Sequence, residues 1–156
     1  MLPGHRLKVV LVEPEIPQNA GNVARLCAVT GAQLHLVRPL GFVLSDRHLK
    51  RAALDYWADA HVQVHESWQQ LRSVLGAAER YWLCTARAHK SIWDMSFQSD
   101  DWLVFGRETA GLPESWLAAE PARQVAVPMA EGARCLNLAT AAGIVLFEAL
   151  RQLYYQ

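Results

Sequence analysis

A chain of 156 residues that is 52% hydrophobic and 19% charged can bury a real core and is too apolar to stay disordered. Fifteen Lys and Arg balance fifteen Asp and Glu, so a nucleic-acid partner must be met by a local basic patch and not by overall charge. Three cysteines, Cys27, Cys84 and Cys135, stand far apart with no Cys-x-x-Cys pair and no zinc-like Cys/His spacing, which argues against a disulfide scaffold or a metal site and for a reducing cytoplasm.

Residues 7–12 are a nearly continuous β-branched and apolar run, as a parallel strand covered on both faces requires. Glu13-Pro14 ends it. Asn19 or a neighbour is expected to cap the next helix, which carries Val23, Leu26, Cys27 and Val29 and stops at Gly31. Residues 34–37 read as a second strand, ended by Pro39. Asp46 opens an expected helix to about Asp55, with Arg47, Lys50 and Arg51 on one side. A short strand at 61–65, a helix at 67–75 stopped by Gly76 and a strand at 81–85 follow. Residues 87–100 read as a polar loop with a few aromatics, and 102–105 as a strand. Residues 113–118 read as a short helix with Pro113 at its first position, 124–127 as a strand, and 137–153 as a final helix that is apolar almost all round. The alternation predicts one α/β domain over residues 1–156, a mostly parallel sheet with helices on both faces. The longest apolar stretch, within 136–150, is too short to span a bilayer and contains Glu148, so no membrane association is expected. The amino-terminal residues lack the apolar run of an export signal.

Three Gly/Asn-rich turns, each joined to an apolar run, carry the chemistry. The first is Pro17-Gln18-Asn19-Ala20-Gly21-Asn22-Val23-Ala24-Arg25. A strand end leading into a helix start is where α/β proteins hold ligands, phosphates especially. Asn19 and Asn22 offer amides there, and Arg25 offers a cation for a phosphate or a hydroxyl. The second turn runs from Phe105-Gly106 to Leu112-Pro113. Gly106 directly after a buried strand lets a ligand lie against main chain, and Glu108 either meets a cation or orders the loop. The third begins at Val127-Pro128-Met129, crosses a small-residue loop and enters the last helix through Arg134-Cys135-Leu136-Asn137. That helix reads either as a central core helix or, through Ala139, Ala141, Ala142 and Gly143, as a close-packed subunit interface. Read alone, the first turn is also a tight turn with a cap and a solvated Arg, and the second a strand-turn-helix connection without a ligand.

Taken together, Glu13-Pro14-Glu15-Ile16-Pro17-x-Asn19-x-Gly21-Asn22 with Arg25, Leu54-Asp55-Tyr56, Phe105-Gly106-x-Glu108-Thr109-x-Gly111-Leu112-Pro113 and Leu136-Asn137-Leu138 resemble the TrmL group of the SPOUT class of RNA methyltransferases. The resemblance covers nearly the whole chain. It implies a SPOUT fold with a C-terminal trefoil knot, and a homodimer through the knot region and the C-terminal helix. It also implies S-adenosylmethionine as cofactor without a metal, and 2'-O-methylation of the wobble cytidine or uridine in the anticodon stem-loop of certain tRNAs. Carried over residue by residue, it assigns Leu83, Cys84, Thr85, Gly106, Glu108, Val127, Met129, Cys135 and Leu136 to the cofactor, and Arg25, Asn19 and Asn137 to the methyl-accepting ribose. Two positions depart from the group. Cys135 stands where many members have Ser, a stronger hydrogen-bond donor, and Arg107 stands where a smaller residue or Pro is expected. A guanidinium, with a pKa above about 12, suits Arg25 to holding a phosphate and polarising the ribose oxygen rather than taking its proton. Candidates for RNA contact are Arg47, Lys50, Arg51, Arg87, His89 and Lys90. Trp57, Trp68, Trp93 and Trp116 offer stacking faces, with core packing the default reading. Two further readings share the fold: a ribosomal-RNA 2'-O-methyltransferase, and a cofactor- or RNA-binding module without turnover.

Overall fold

The structure is a computed structural model that describes residues 1–45, 47, 49, 51, 56–57, 59–75 and 80–155. Six strands are β1 (Lys8–Val12), β2 (Gln33–Val37), β3 (Gln63–His65), β4 (Tyr81–Cys84), β5 (Trp102–Phe105) and β6 (Gln124–Val125). They form a sheet in the order β3-β2-β1-β5-β4-β6, and every pairing is parallel. The four named helices are α1 (Pro17–Thr30), α2 (Trp68–Leu75), α3 (Glu114–Ala119) and α4 (Leu138–Tyr154).

A parallel strand sends alternate side chains to two covered faces, which is why β1 and β5 are apolar without a break. Val9, Leu11, Leu103 and Phe105 pack with Ala20, Val23 and Cys27 of α1 and Val145, Leu146 and Ala149 of α4. Val10, Val12 and Val104 pack on the other side with Leu71 and Leu75 of α2 and Leu117 of α3. The expected two-sided α/β sheet is therefore present, and it is parallel throughout.

Several boundaries differ from the sequence reading, each for a physical reason. Helix α1 begins at Pro17, with Ile16 in the capping position and no side-chain cap of its own. Asn19 is inside the first turn and buried. The helix ends as expected on Gly31, whose φ of 81° lets its N–H reach the Cys27 carbonyl. Pro113 occupies the cap of α3 rather than its first helical position. Strand β6 stops at Val125 because Ala126 leaves β4 and bridges to Ser91. Residues 87–100 are more than a polar loop. Ser91 caps a 3-10 turn at Ile92–Asp94, and Ile92, Met95 and Phe97 are buried in the core shared with α4. Of the expected helix at 46–55, Asp46, Lys50, Leu54 and Asp55 lie outside the described residues, as does Gly76.

Candidate active site

The sheet order runs outward from β1 to β3 and then restarts on the other side of β1 with β5 and β4. Ligands of open α/β sheets bind beyond the carboxyl ends of the strands, at such a reversal. A cavity of about 540 Å3 lies there, at the ends of β4, β5 and β6. All three turns reach it. Ile16 and Asn19 come from the first, residues 105–112 from the second, and Val127, Met129 and residues 134–138 from the third. Thr85, Ala86 and Arg87 follow β4 into its wall, and Ala141 and Val145 of α4 close another side.

The turns are held to one another by side chains. The helix α1 starts with main-chain N–H groups that no local side chain satisfies. Glu108, from across the site, instead holds the two residues that lead into it. Its carboxylate accepts from the backbone N–H of Glu15 at 2.7 Å and of Ile16 at 2.9 Å, and from Asn19 Nδ2 at 3.2 Å. Glu15 returns the contact, accepting from the Thr109 hydroxyl at 2.9 Å and its N–H at 3.1 Å. Arg107 forms an ion pair with Glu13, a non-glycine residue with a φ of 50° at the tip of β1. Asn19 Oδ1 accepts from Asn137 Nδ2 at 2.9 Å, and Asn137 Oδ1 caps α4 by accepting from the N–H of Ala139 and Thr140. One line of hydrogen bonds thus runs from Glu108 through Asn19 and Asn137 to the start of α4.

Of the two roles read for Glu108, the structure shows the ordering one. Gly106 lines the cavity as the sequence reading expects, and the turn itself gives a second reason for a glycine. A Cβ there would lie 2.1 Å from the Gly111 carbonyl carbon and 2.2 Å from the Leu112 nitrogen, so glycine is required by the turn folding back on itself.

Cys84, Thr85, Gly106, Glu108, Val127, Met129, Cys135, Leu136, Asn19 and Asn137 all line the cavity, as the sequence reading grouped them. Leu83 does not. The alternation of β4 turns its side chain to the opposite face, among Val10, Val104 and Leu117. Arg25 does not line it either. It is exposed on α1, its guanidinium 4.8 Å from the centre of the Tyr56 ring. Burial pushes the Cys84 thiol well above its usual range, so it stays protonated. Arg87, Arg107 and Arg134 line the cavity without having been assigned to the cofactor or the ribose. Arg134 and Arg107 were legible as charges inside the turns, but nothing local told which of them a carboxylate would claim.

Among the RNA-contact candidates, Arg47, Arg51, His89 and Lys90 are exposed, and Arg87 is paired with Glu114. Trp68 and Trp116 stack on each other at 4.3 Å and Trp57 packs against the core, whereas Trp93 is 70% exposed.

Comparison with known proteins fits this arrangement. The chain is 49% identical over 146 residues to the tRNA (cytidine(34)-2'-O)-methyltransferase of Polaromonas sp., covering 92% of this chain and 89% of that protein. A solved structure described as giving structural insights into the 2-OH methylation of C/U34 on tRNA superposes with a TM-score of 0.94 at 45% identity, over 99% of this chain and 100% of that one. The SpoU methyltransferase AviRb from Streptomyces viridochromogenes, solved in complex with the cofactor AdoMet, superposes with a TM-score of 0.82 at 25% identity, over 99% of this chain and 63% of that one. Residues 6–147 match the SpoU rRNA Methylase family, and the chain belongs to that family.

Proposed function

We propose that this protein is an S-adenosylmethionine-dependent 2'-O-methyltransferase of the wobble cytidine or uridine of certain tRNAs, a single-domain cytoplasmic enzyme that works as a homodimer. The observation that carries this reading is the convergence of the three turns on one cavity, in a chain nearly half identical to enzymes named for that reaction.

The cavity suits the cofactor. Its volume lies within the roughly 300–1,000 Å3 of ordinary ligand sites. Phe105, Leu112, Leu117, Val127 and Leu136 give apolar walls for a purine, while the main chain at the ends of β4 and β5 offers polar groups. When bound, S-adenosylmethionine supplies an activated methyl group, so the protein's share is orientation and help with the hydroxyl proton.

Asn19 and Asn137 are fixed in place by each other, by Glu108 and by α4. Each Nδ2 retains one further N–H, and Asn19 Oδ1 retains one further acceptor site. These free valences are the groups offered to a ribose. Arg25, outside the cavity on an exposed helix face, is placed to hold the RNA backbone and does not take the proton.

The homodimer rests on α4 and α1. Ile144, Phe147 and Tyr154 form an exposed apolar stripe along α4, and Val29 is exposed on α1, which packs beside it. A trefoil knot in the last third belongs to the same reading, supported by the likeness of the fold to SpoU methyltransferases.

The test is methyl transfer from labelled S-adenosylmethionine to bulk tRNA from a strain lacking this protein, with the product nucleoside mapped. A 2'-O-methyl group at the wobble position is expected. No incorporation by a protein that still binds S-adenosylhomocysteine would overturn the reading.

A further inference from the structure

Three arginines line the cavity, and they differ in one respect. Arg87 is held by Glu114 and Arg107 by Glu13. The one carboxylate among the described lining residues, Glu108, is spent on main-chain N–H groups and Asn19. Arg134 has neither a hydrogen bond nor an ion pair among the described residues, and it is exposed to solvent. A guanidinium carries five N–H donors and a permanent charge. Standing unpaired in the wall of an otherwise balanced cavity, it is arranged to receive an anion, and its fork matches a phosphate in two parallel bonds.

The position of Arg134 says which anion. It lies three residues ahead of Asn137 in the exposed approach to α4, and it lines the same cavity as Asn137 and Asn19. The 2'-hydroxyl of an internal nucleotide neighbours that nucleotide's own 3'-phosphodiester. A ribose that reaches the two asparagines therefore brings a phosphate with it. The amino-acid end of the cofactor is the other anionic source, but there the carboxylate sits beside an ammonium and the pair is neutral overall. A phosphodiester carries a net negative charge.

We propose that Arg134 binds the RNA phosphate next to the methyl-accepting ribose, and so sets affinity for the RNA and not for the cofactor. This rests on the tRNA-methylation reading above.

The experiment compares wild type, Arg134→Gln and Arg134→Lys in steady-state methylation of tRNA over a salt series, with S-adenosylhomocysteine affinity measured calorimetrically on the same preparations. Arg134→Gln is expected to raise KM for tRNA about tenfold and to leave S-adenosylhomocysteine affinity unchanged. It should also flatten the dependence of log KM on log salt by about 0.7, the contribution of one lost single-strand phosphate contact. Arg134→Lys keeps the charge and should keep the wild-type salt slope. A loosened loop would raise KM without moving that slope, so the slope separates phosphate binding from a structural role. Weaker S-adenosylhomocysteine binding with an unchanged tRNA KM would assign Arg134 to the cofactor carboxylate and overturn the proposal, as would an unchanged KM and slope. Wild-type protein that methylates no tRNA would instead remove the reading on which the proposal stands.

Discussion

Glu108 and Arg25 show how differently two charged residues of neighbouring turns are employed. Glu108 accepts three hydrogen bonds, two from backbone N–H groups at the entry to α1 and one from Asn19. In Glu108→Gln one carboxylate oxygen becomes an NH2 group that faces a donor, so at least one of these bonds is lost. A hydrogen bond to a charged group contributes about 1.5–3 kcal/mol, and an unfolding free energy lower by about that amount is expected in urea denaturation, with methyl transfer reduced because Asn19 loses its brace. Arg25 holds no such position. Arg25→Ala should leave unfolding within about 0.5 kcal/mol of wild type, as exposed sites usually do, and leave S-adenosylhomocysteine affinity intact while abolishing turnover. Intact turnover would remove Arg25 from the reaction. The sequence made both residues visible as members of Gly/Asn-rich turns but could not assign the first. The partners of Glu108 lie 89 to 93 residues away, beyond any local pattern. Asn19 read as a cap because its type suits that role, but its side chain is engaged with Glu108 and Asn137, both remote in sequence.

Elements were legible where a single rule governs them. Strands β1, β2 and β5 are apolar runs bounded by turn residues, and the ends of α1 and α4 carry a Gly and an Asn where helices want them. They were illegible where a neighbour changes the rule, as in β6, whose continuation is claimed by Ser91. Strands β2 and β3 carry one further departure from apolar patterning. His35, buried on β2, lies with its Nδ1 at 2.9 Å from Nε2 of His65 on β3, and its Nε2 has no hydrogen-bond partner among the described residues. The bond needs one ring to donate and the other to accept, so at most one of the two rings carries a charge while it stands. Burial, and next the nearby positive charges of His65 and Lys8, lower the pKa of His35 to about 3, and burial also lowers that of His65. Unfolded, each histidine titrates at its ordinary value of about 6.5. The unfolded chain thus binds more protons than the folded one between about pH 3 and pH 6.5, and stability must fall as the pH drops through that window. The slope from His35 approaches about 1.4 kcal/mol per pH unit in the middle of that window. Denaturation at pH 7.5, 6 and 5 should show the decline, and His35→Leu should flatten it. An equal decline in that variant would place the acid sensitivity elsewhere.

At the scale of the molecule, two faces of the sheet are covered, yet α4 keeps Ile144, Phe147 and Tyr154 toward solvent. Covering that stripe with a second copy is part of the proposed function. Phe147→Glu places a charge in the middle of it and should convert the dimer to a monomer in light scattering, with tRNA methylation reduced along with it. A variant that remains dimeric would show that the partner sits on another face. The general architecture was open to reading from alternating strands and helices, because a parallel sheet demands crossover helices. The meeting of the three turns was not, since sequence order alone does not say which strand ends adjoin. That meeting also fixes when the site comes into being. Asn137 contacts Asn19 across 118 residues of chain, and Glu108 contacts Ile16 across 92. A growing polypeptide that has not yet reached Asn137 has all six strands but no complete cavity, and contacts this remote in sequence form slowly. The cavity therefore exists only once turns from both ends of the chain have met, and the appearance of S-adenosylhomocysteine binding in a refolding experiment is expected to report that meeting rather than the formation of the sheet.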